Sequence, residues 1–404
     1  KKTKIFTREK IFLQSFFTSF FFFLSELLRS KIFGGLPFNL SGHIWAFNSD
    51  FIQISKFFGV YGISFFTILW IIISINLFIR KNFKLSFLMF VFFPSFFLLF
   101  SFLSNLEETK GNKETILVRV VQPNILQEKK WNRLFFQQNI EKLIRLTKEK
   151  NNQKDKIVIW PEAAITLYLN EERDFLRYLK KEIPSNITII TGGLRREINE
   201  GQVKVFNSLY LINKEVKFYD KRKLVPFGEF IPFRKWVDLL KITPGSTDFS
   251  FGQELKIIED KIGDQNYFFE PSICYEAIFQ TFSESESQLL INITNDAWFG
   301  NGLGPKQHLA AQIFRSVEKS TPLIRSSNSG ISVITNEKGK VIEKIKLKKD
   351  GFIELELKLQ SKKTFFEKNG NTSLVFLILF TFLLFYLIDI IYHLKVKSKR
   401  FLQL

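Results

Sequence analysis

Apolar positions follow two different rules along this chain. Residues 60–79 and 85–104 carry no charge, residues 373–392 carry only Asp389, and residues 11–28 carry only Glu26 near the end. Spanning the hydrocarbon of a bilayer takes roughly 20 consecutive apolar residues. The pattern therefore predicts four membrane helices, over 11–28, 60–79, 85–104 and 373–392. Between Glu107 and Lys368 the rule changes to short apolar runs alternating with amphipathic stretches, the signature of strands and helices packed in layers. Thr115–Val121, Lys156–Trp160, Ile187–Thr191, Val203–Ile212, Tyr267–Ile273, Leu289–Thr294 and Ile331–Thr335 read as strands. Leu134–Lys150, Glu171–Glu182 and Lys306–Lys319 read as helices, the first with Ile140, Leu143, Ile144 and Leu146 on or near one face.

The expected organisation is an α/β domain over 105–372, placed between an N-terminal membrane region, 1–104, and a last span with a basic tail, 373–404. No internal repeat is visible, and low complexity is confined to the Phe-rich spans. A cleaved secretory signal does not fit the first segment, because no small-residue cleavage site follows Leu28 and further spans come after it.

Charge adds orientation. Of the formal +19, Lys1, Lys2, Lys4, Arg8 and Lys10 precede the first span, Arg80, Lys81 and Lys84 separate the second from the third, and Lys395, Lys397, Lys399 and Arg400 follow the fourth. Cations concentrate in short cytoplasmic segments, so the sequence places these clusters in the cytoplasm and residues 29–59 and 105–372 on the other side. No nucleic-acid recognition module accompanies the charge. One cysteine among 404 residues excludes an internal disulfide. His43, His308 and His393 have no ligand-like spacing, so no metal is expected.

Candidate chemistry falls where apolar strands run out. Glu162 follows Ile157 to Pro161, Lys221 follows the alternation Val216 to Tyr219, and Cys274 follows Phe268 to Ile273. In layered α/β folds such strand ends gather on one rim and bind ligands there. Each residue alone is a weak signal; together they form a nucleophilic set. A thiolate is favoured by a nearby cation and by a helix N-terminus, roles open to Lys221 and to a helix expected to begin near Tyr275. Glu162 would act as general base, and Lys221 with the Tyr275 N–H would meet the oxyanion of acyl transfer.

The motifs carry a family resemblance. Trp160-Pro161-Glu162, the run Tyr219 to Glu229 and Cys274-Tyr275-Glu276 resemble the nitrilase superfamily, and in particular its membrane-bound branch, the apolipoprotein N-acyltransferases. Val121 to Asn124, Trp131, Thr294 to Gly300, Gly304-Pro305, Gln307-His308, Arg315, Glu318, Pro322 and Arg325 extend the likeness, as do Ser25 to Arg29 and Gly35 to Pro37. The resemblance implies a nitrilase-like αββα sandwich inserted between transmembrane helices, with Cys274 as nucleophile, Glu162 as base and Lys221 as oxyanion partner. It implies supporting roles for Trp131, Glu229, Tyr275 and Glu276, and no cofactor. It further implies a phospholipid acyl donor, a diacylglyceryl apolipoprotein acceptor and a bacterial inner membrane with the catalytic domain on the periplasmic side. One departure is visible: Lys223 stands where many relatives have His. The family usually has more spans and this chain opens on Lys1, so an N-terminal truncation is expected.

Two further readings stay open. With water as acceptor, the same three residues would make a membrane-tethered amidase or nitrilase-like hydrolase. A scaffold with a decayed site would have lost one of the three, and all are present. The cluster Phe227, Phe230, Ile231, Phe233, Trp236, Val237, Leu239, Leu240 and Ile242 is read either as a loop dipping into the lipid interface, with Arg234 and Lys235 reaching phosphates, or as ordinary packing on the core.

Overall fold

The computed structural model describes residues 10–106, 114–232, 248–254, 256–281, 285–300, 302–359 and 363–401. The chain divides into two compact units, one of residues 1–110, 317–319 and 363–404, the other of residues 111–316 and 320–362.

The first unit contains Ile11–Arg29, Ser55–Ile79, Phe83–Leu106 and Thr372–Phe401, four helices long and apolar enough to cross a membrane. The second of them bends at Gly59, whose φ of 63° lies outside helical space; the uncharged run read from the sequence begins one residue later. Polar groups of this unit are tied locally. Glu26 accepts the Ser41 hydroxyl at 2.7 Å, and Arg29 donates to the carbonyls of Leu36 and Phe38.

The second unit holds strands β1 Thr115–Gln122, β2 Lys156–Ile159, β3 Ile187–Asn199, β4 Gln202–Ile212, β5 Val216–Asp220 and β6 Ile258–Ile262. It continues with β7 Gln265–Ile273, β8 Leu289–Thr294, β9 Leu323–Ser327, β10 Ser332–Thr335, β11 Val341–Ile345 and β12 Gly351–Lys358. They form two six-stranded sheets, ordered β12-β1-β2-β3-β4-β5 and β11-β10-β9-β8-β7-β6. In the first sheet β1, β2 and β3 are parallel; in the second β7, β8 and β9 are parallel; all other pairs are antiparallel. The two sheets thus repeat one pairing pattern, although no sequence repeat announces it.

Side chains alternate across each strand, and both faces of the central strands are apolar. Val118, Ile157, Leu209, Phe269, Ile291 and Ile324 meet between the sheets in one core. Val121, Val158, Ile189 and Tyr210 face outward onto Ile140, Leu143 and Leu179 of the helices Phe136–Lys148 and Arg173–Glu182. The helix Gly304–Lys319 connects β8 to β9 and buries Ala311, Ile313 and Phe314. The result is the αββα sandwich.

Candidate active site

Glu162 stands three residues past β2, while Lys221 and Cys274 each follow immediately on β5 and β7. The strand ends expected from the sequence do converge, with one correction. They belong to two sheets: β2 and β5 to the first, β7 to the second. The site therefore sits at one end of the core between the sheets, not on the rim of a single sheet.

Lys221, 1% exposed, donates to Glu229 Oε1 at 2.9 Å and lies 3.4 Å from Glu162 Oε1. Asn207 of β4 binds both acids through one nitrogen, at 2.8 Å to Glu162 and 3.0 Å to Glu229. Glu229 also accepts the Val225 N–H, which fixes the loop that follows the lysine.

Left-handed backbone occurs at Cys274, next to Glu162 and in the loop that leads to Glu229. Cys274 has φ 49°, Ala163 after Glu162 has φ 45°, and Phe227 before Glu229 has φ 62°. Side chains with a Cβ are disfavoured there by about 1–2 kcal/mol, and such strain gathers at functional sites. The sharp turn at Cys274 opens a five-residue 3-10 turn, Cys274–Ile278. The longer helix expected from Tyr275 is absent, so its dipole is not available to the thiol. Glu276 instead knits the turn to the lysine strand: its carboxylate accepts the backbone N–H of Ile273, Arg222 and Lys223 and the Tyr219 hydroxyl. Close approach matters at Gly192, where a Cβ would lie 2.4 Å from the Ala163 nitrogen and 2.7 Å from Glu162 Cα.

The electrostatics follow from burial. Burial and the Glu162 charge push the Cys274 thiol up to about 12, against the pull of Lys221. Burial disfavours the Lys221 ammonium, but Glu229 and Glu162 outweigh it and hold its pKa well above the usual lysine value. Burial likewise raises the Tyr275 phenol to about 12. The resting site holds a neutral thiol and a permanent cation.

Of the supporting residues expected, Glu229 and Glu276 join this network. The Tyr275 ring packs edge-on against Phe279 at 5.1 Å. Trp131, 41% exposed, ends the short helix Gln127–Lys130 and shares no hydrogen bond with the three reactive residues among the described residues. Lys223 turns its ammonium over the Phe279 ring, 5.6 Å from the centroid. Of the apolar cluster after Lys221, Phe227 is exposed, Phe230 packs on Phe251 and Ile231 is buried; Phe233, Arg234, Lys235, Trp236, Val237, Leu239, Leu240 and Ile242 lie outside the described residues.

Sequence reasoning gave five contributors no place in the site. Asn207 was legible as a polar residue inside apolar β4. Behind Cys274, His308 bridges the Cys274 carbonyl (Nε2, 3.1 Å) and Asp296 (Nδ1, 2.8 Å), and Asp296 pairs with Arg325. At the start of its helix His308 reads from sequence as a packing or hydrogen-bonding residue, while Asp296 and Arg325 enter only through the resemblance. Cys274, Asp296 and His308 offer donor atoms within 4.8 Å of one another. Both His308 nitrogens and the Asp296 carboxylate are already committed to the contacts just given, which does not suit a metal site. The fifth is Lys130, whose ammonium, 4% exposed as a residue, donates to the Glu162 carbonyl oxygen at 2.7 Å.

The chain is similar in sequence to known proteins over both of its regions. A family model described as carbon-nitrogen hydrolase matches residues 117–364, and one described as apolipoprotein N-acyltransferase N-terminal domain matches residues 3–73. The apolipoprotein N-acyltransferase of Rickettsia bellii (strain RML369-C) is 33% identical over 382 residues, covering 91% of this chain and 74% of its own length. That of Rickettsia prowazekii (strain Madrid E) is 31% identical over 383 residues, covering 91% and 75%. A third, from Rickettsia typhi (strain ATCC VR-144 / Wilmington), is 33% identical over 384 residues, again covering 91% and 75%.

Proposed function

The chain belongs to the apolipoprotein N-acyltransferase family of the carbon-nitrogen hydrolases, and from that membership we propose that it moves a fatty acyl chain from a membrane phospholipid, through a thioester on Cys274, to the α-amine of an apolipoprotein's N-terminal diacylglyceryl-cysteine. The observation that carries this reading is the meeting of buried Glu162 and Lys221 with half-buried Cys274 in one site. In this scheme residues 105–372 are the catalytic domain, on the periplasmic side of the inner membrane, and residues 1–104 and 373–404 anchor it.

Because Cys274 rests as a thiol, Glu162 must remove its proton as the sulfur attacks, acting as a general base rather than guarding a preformed thiolate. The C–S bond forms and the carbonyl oxygen becomes an oxyanion, met by Lys221 and the Tyr275 N–H. Collapse breaks the ester bond, and Glu162 returns the proton to the departing lysophospholipid alkoxide. In the second half the acceptor amine attacks the thioester, its proton passes to Glu162, and the thiol is regenerated as the amide forms. Glu229 and Asn207 hold Lys221 and Glu162 in register. Trp131, exposed at the mouth of its turn, contributes an aromatic surface for an acyl chain or acceptor peptide.

The test is incubation of the full chain with phospholipid labelled in its acyl groups. Label should appear on Cys274 as a hydroxylamine-sensitive adduct, and a third acyl group should appear on an acceptor lipopeptide by mass spectrometry. Free fatty acid without acylated peptide would instead indicate the hydrolase reading, and no adduct in the presence of folded protein would refute the scheme.

A further inference from the structure

Lys130 is a buried cation that the scheme above does not use. The segment carrying it is firmly held: Asn328 accepts the Ile125 N–H and donates to the Ile125 carbonyl, Asn295 donates to Gln127, and Asn139 donates to the Lys129 carbonyl. So anchored, the Lys130 side chain runs inward to the turn after β2 and donates to the peptide oxygen of Glu162 at 2.7 Å. That turn is the strained one, with Ala163 at φ 45° and no room at Gly192 for a side chain. An ammonium in low dielectric is disfavoured unless negative charge is close by. The negative charge acting on it at rest is Glu162, past the end of β2, and Cys274, at the end of β7, adds to it when its thiol ionises. Glu162 is thus held by Lys221 at its carboxylate and by Lys130 at its backbone.

We propose that Lys130 is a positioning residue of the acyl-transfer site, clamping the Glu162 turn and supplying a second positive charge that stabilises the Cys274 thiolate as it forms. The inference rests on the reading of Cys274 as the nucleophile. Its position has a consequence that simple packing lacks. Burial lowers Lys130 to about 8, against the opposing pull of Glu162 and Cys274. Its charge is therefore present at neutral pH and lost as pH rises through 8, whereas Lys221 keeps its charge throughout. The neutral amine still donates to the carbonyl, so what disappears is the charge and not the clamp.

Two measurements on the full chain in phospholipid vesicles test this, comparing wild type with Lys130→Met and Lys130→Arg. In the first, iodoacetamide alkylation of Cys274, the only thiol, is followed from pH 6 to 10. Lys130→Met should react about tenfold more slowly than wild type below pH 8 and converge with it above pH 9; Lys130→Arg should stay as fast as wild type below pH 8 and exceed it above. In the second, single-turnover thioester formation from labelled phospholipid should fall near pH 8 in wild type, and that fall should be missing from the lower rate of Lys130→Met. Identical alkylation profiles in wild type and Lys130→Met overturn the inference. A wild type that forms no thioester but keeps the Lys130-dependent alkylation profile removes the functional reading and leaves only the electrostatic coupling of Lys130 to Cys274.

Discussion

Burial and the neighbouring Glu162 raise the proton affinity of Cys274 further than Lys221 lowers it. With its pKa pushed up to about 12, the thiol stays protonated at neutral pH, which protects an unpaired cysteine from oxidation until a substrate and a base act on it together. Such a design depends on keeping Glu162 available as an acceptor, and Asn207 is the residue whose substitution disturbs it most directly. Asn207→Asp exchanges a donor shared by two carboxylates for a third carboxylate. Repulsion would drive one of the three to hold a proton. The expected outcome is a loss of about a hundredfold in thioester formation, read by acyl-label transfer, partly recovered at higher pH where the shared proton is released. At this scale Glu162, Lys221 and Cys274 were legible because each is a reactive residue directly after an apolar run. Asn207 showed only as a polar residue within an apolar strand and Lys130 only as one of several in a polar turn, and only the folded chain reveals what each touches.

Between residue and domain, the turn at Cys274 replaces a helix. The run after Cys274 lacks the length for a helix because Phe279 returns to extended backbone, and the carboxylate of Glu276 occupies the Ile273 N–H at the turn's entrance. Sequence periodicity cannot separate five residues of 3-10 turn from the start of a helix. The strands β6, β9, β11 and β12 escaped for a related reason: they are short or charge-bearing edge strands, or, in β9, contain Arg325 and two serines whose burial is satisfied only by partners from other elements. That same cluster makes a prediction. Burial opposes ionisation of Asp296, but Arg325 and then His308 outweigh it and lower the carboxyl to about 2. A depressed carboxyl contributes stability that is complete above its unfolded value near 4 and is lost as pH falls through 2, amounting to about 2 kcal/mol. Asp296→Asn should flatten the acid-denaturation profile in that window. It should also lower stability at pH 7 by about 3 kcal/mol, because Arg325 is left buried without its anion. Because His308 joins Asp296 to the Cys274 carbonyl, the same variant should slow acyl transfer even where it remains folded, a comparison made by measuring rate and urea midpoint on one sample.

At the scale of the molecule, the fold class came from the alternation of strand and helix patterns, while the pairing of two like sheets has no counterpart in the sequence, since it is carried by backbone registers and not by repeated side chains. The membrane pattern was the clearest of all: four long apolar helices occur where charges are missing. Their orientation follows from the cation clusters and is open to a direct test. If the clusters face the cytoplasm, Lys84, exposed at the start of the helix Phe83–Leu106, is cytoplasmic. Arg177, 78% exposed along the helix Arg173–Glu182, is then periplasmic. The single native cysteine makes the experiment simple: on a Cys274→Ser background, Lys84→Cys and Arg177→Cys each place one accessible thiol on an otherwise unreactive chain. In spheroplasts an impermeant maleimide should label Arg177→Cys and spare Lys84→Cys, and lysis should expose both. The reverse pattern would invert the protein. It would put the site on the cytoplasmic face and overturn the periplasmic placement proposed for residues 105–372.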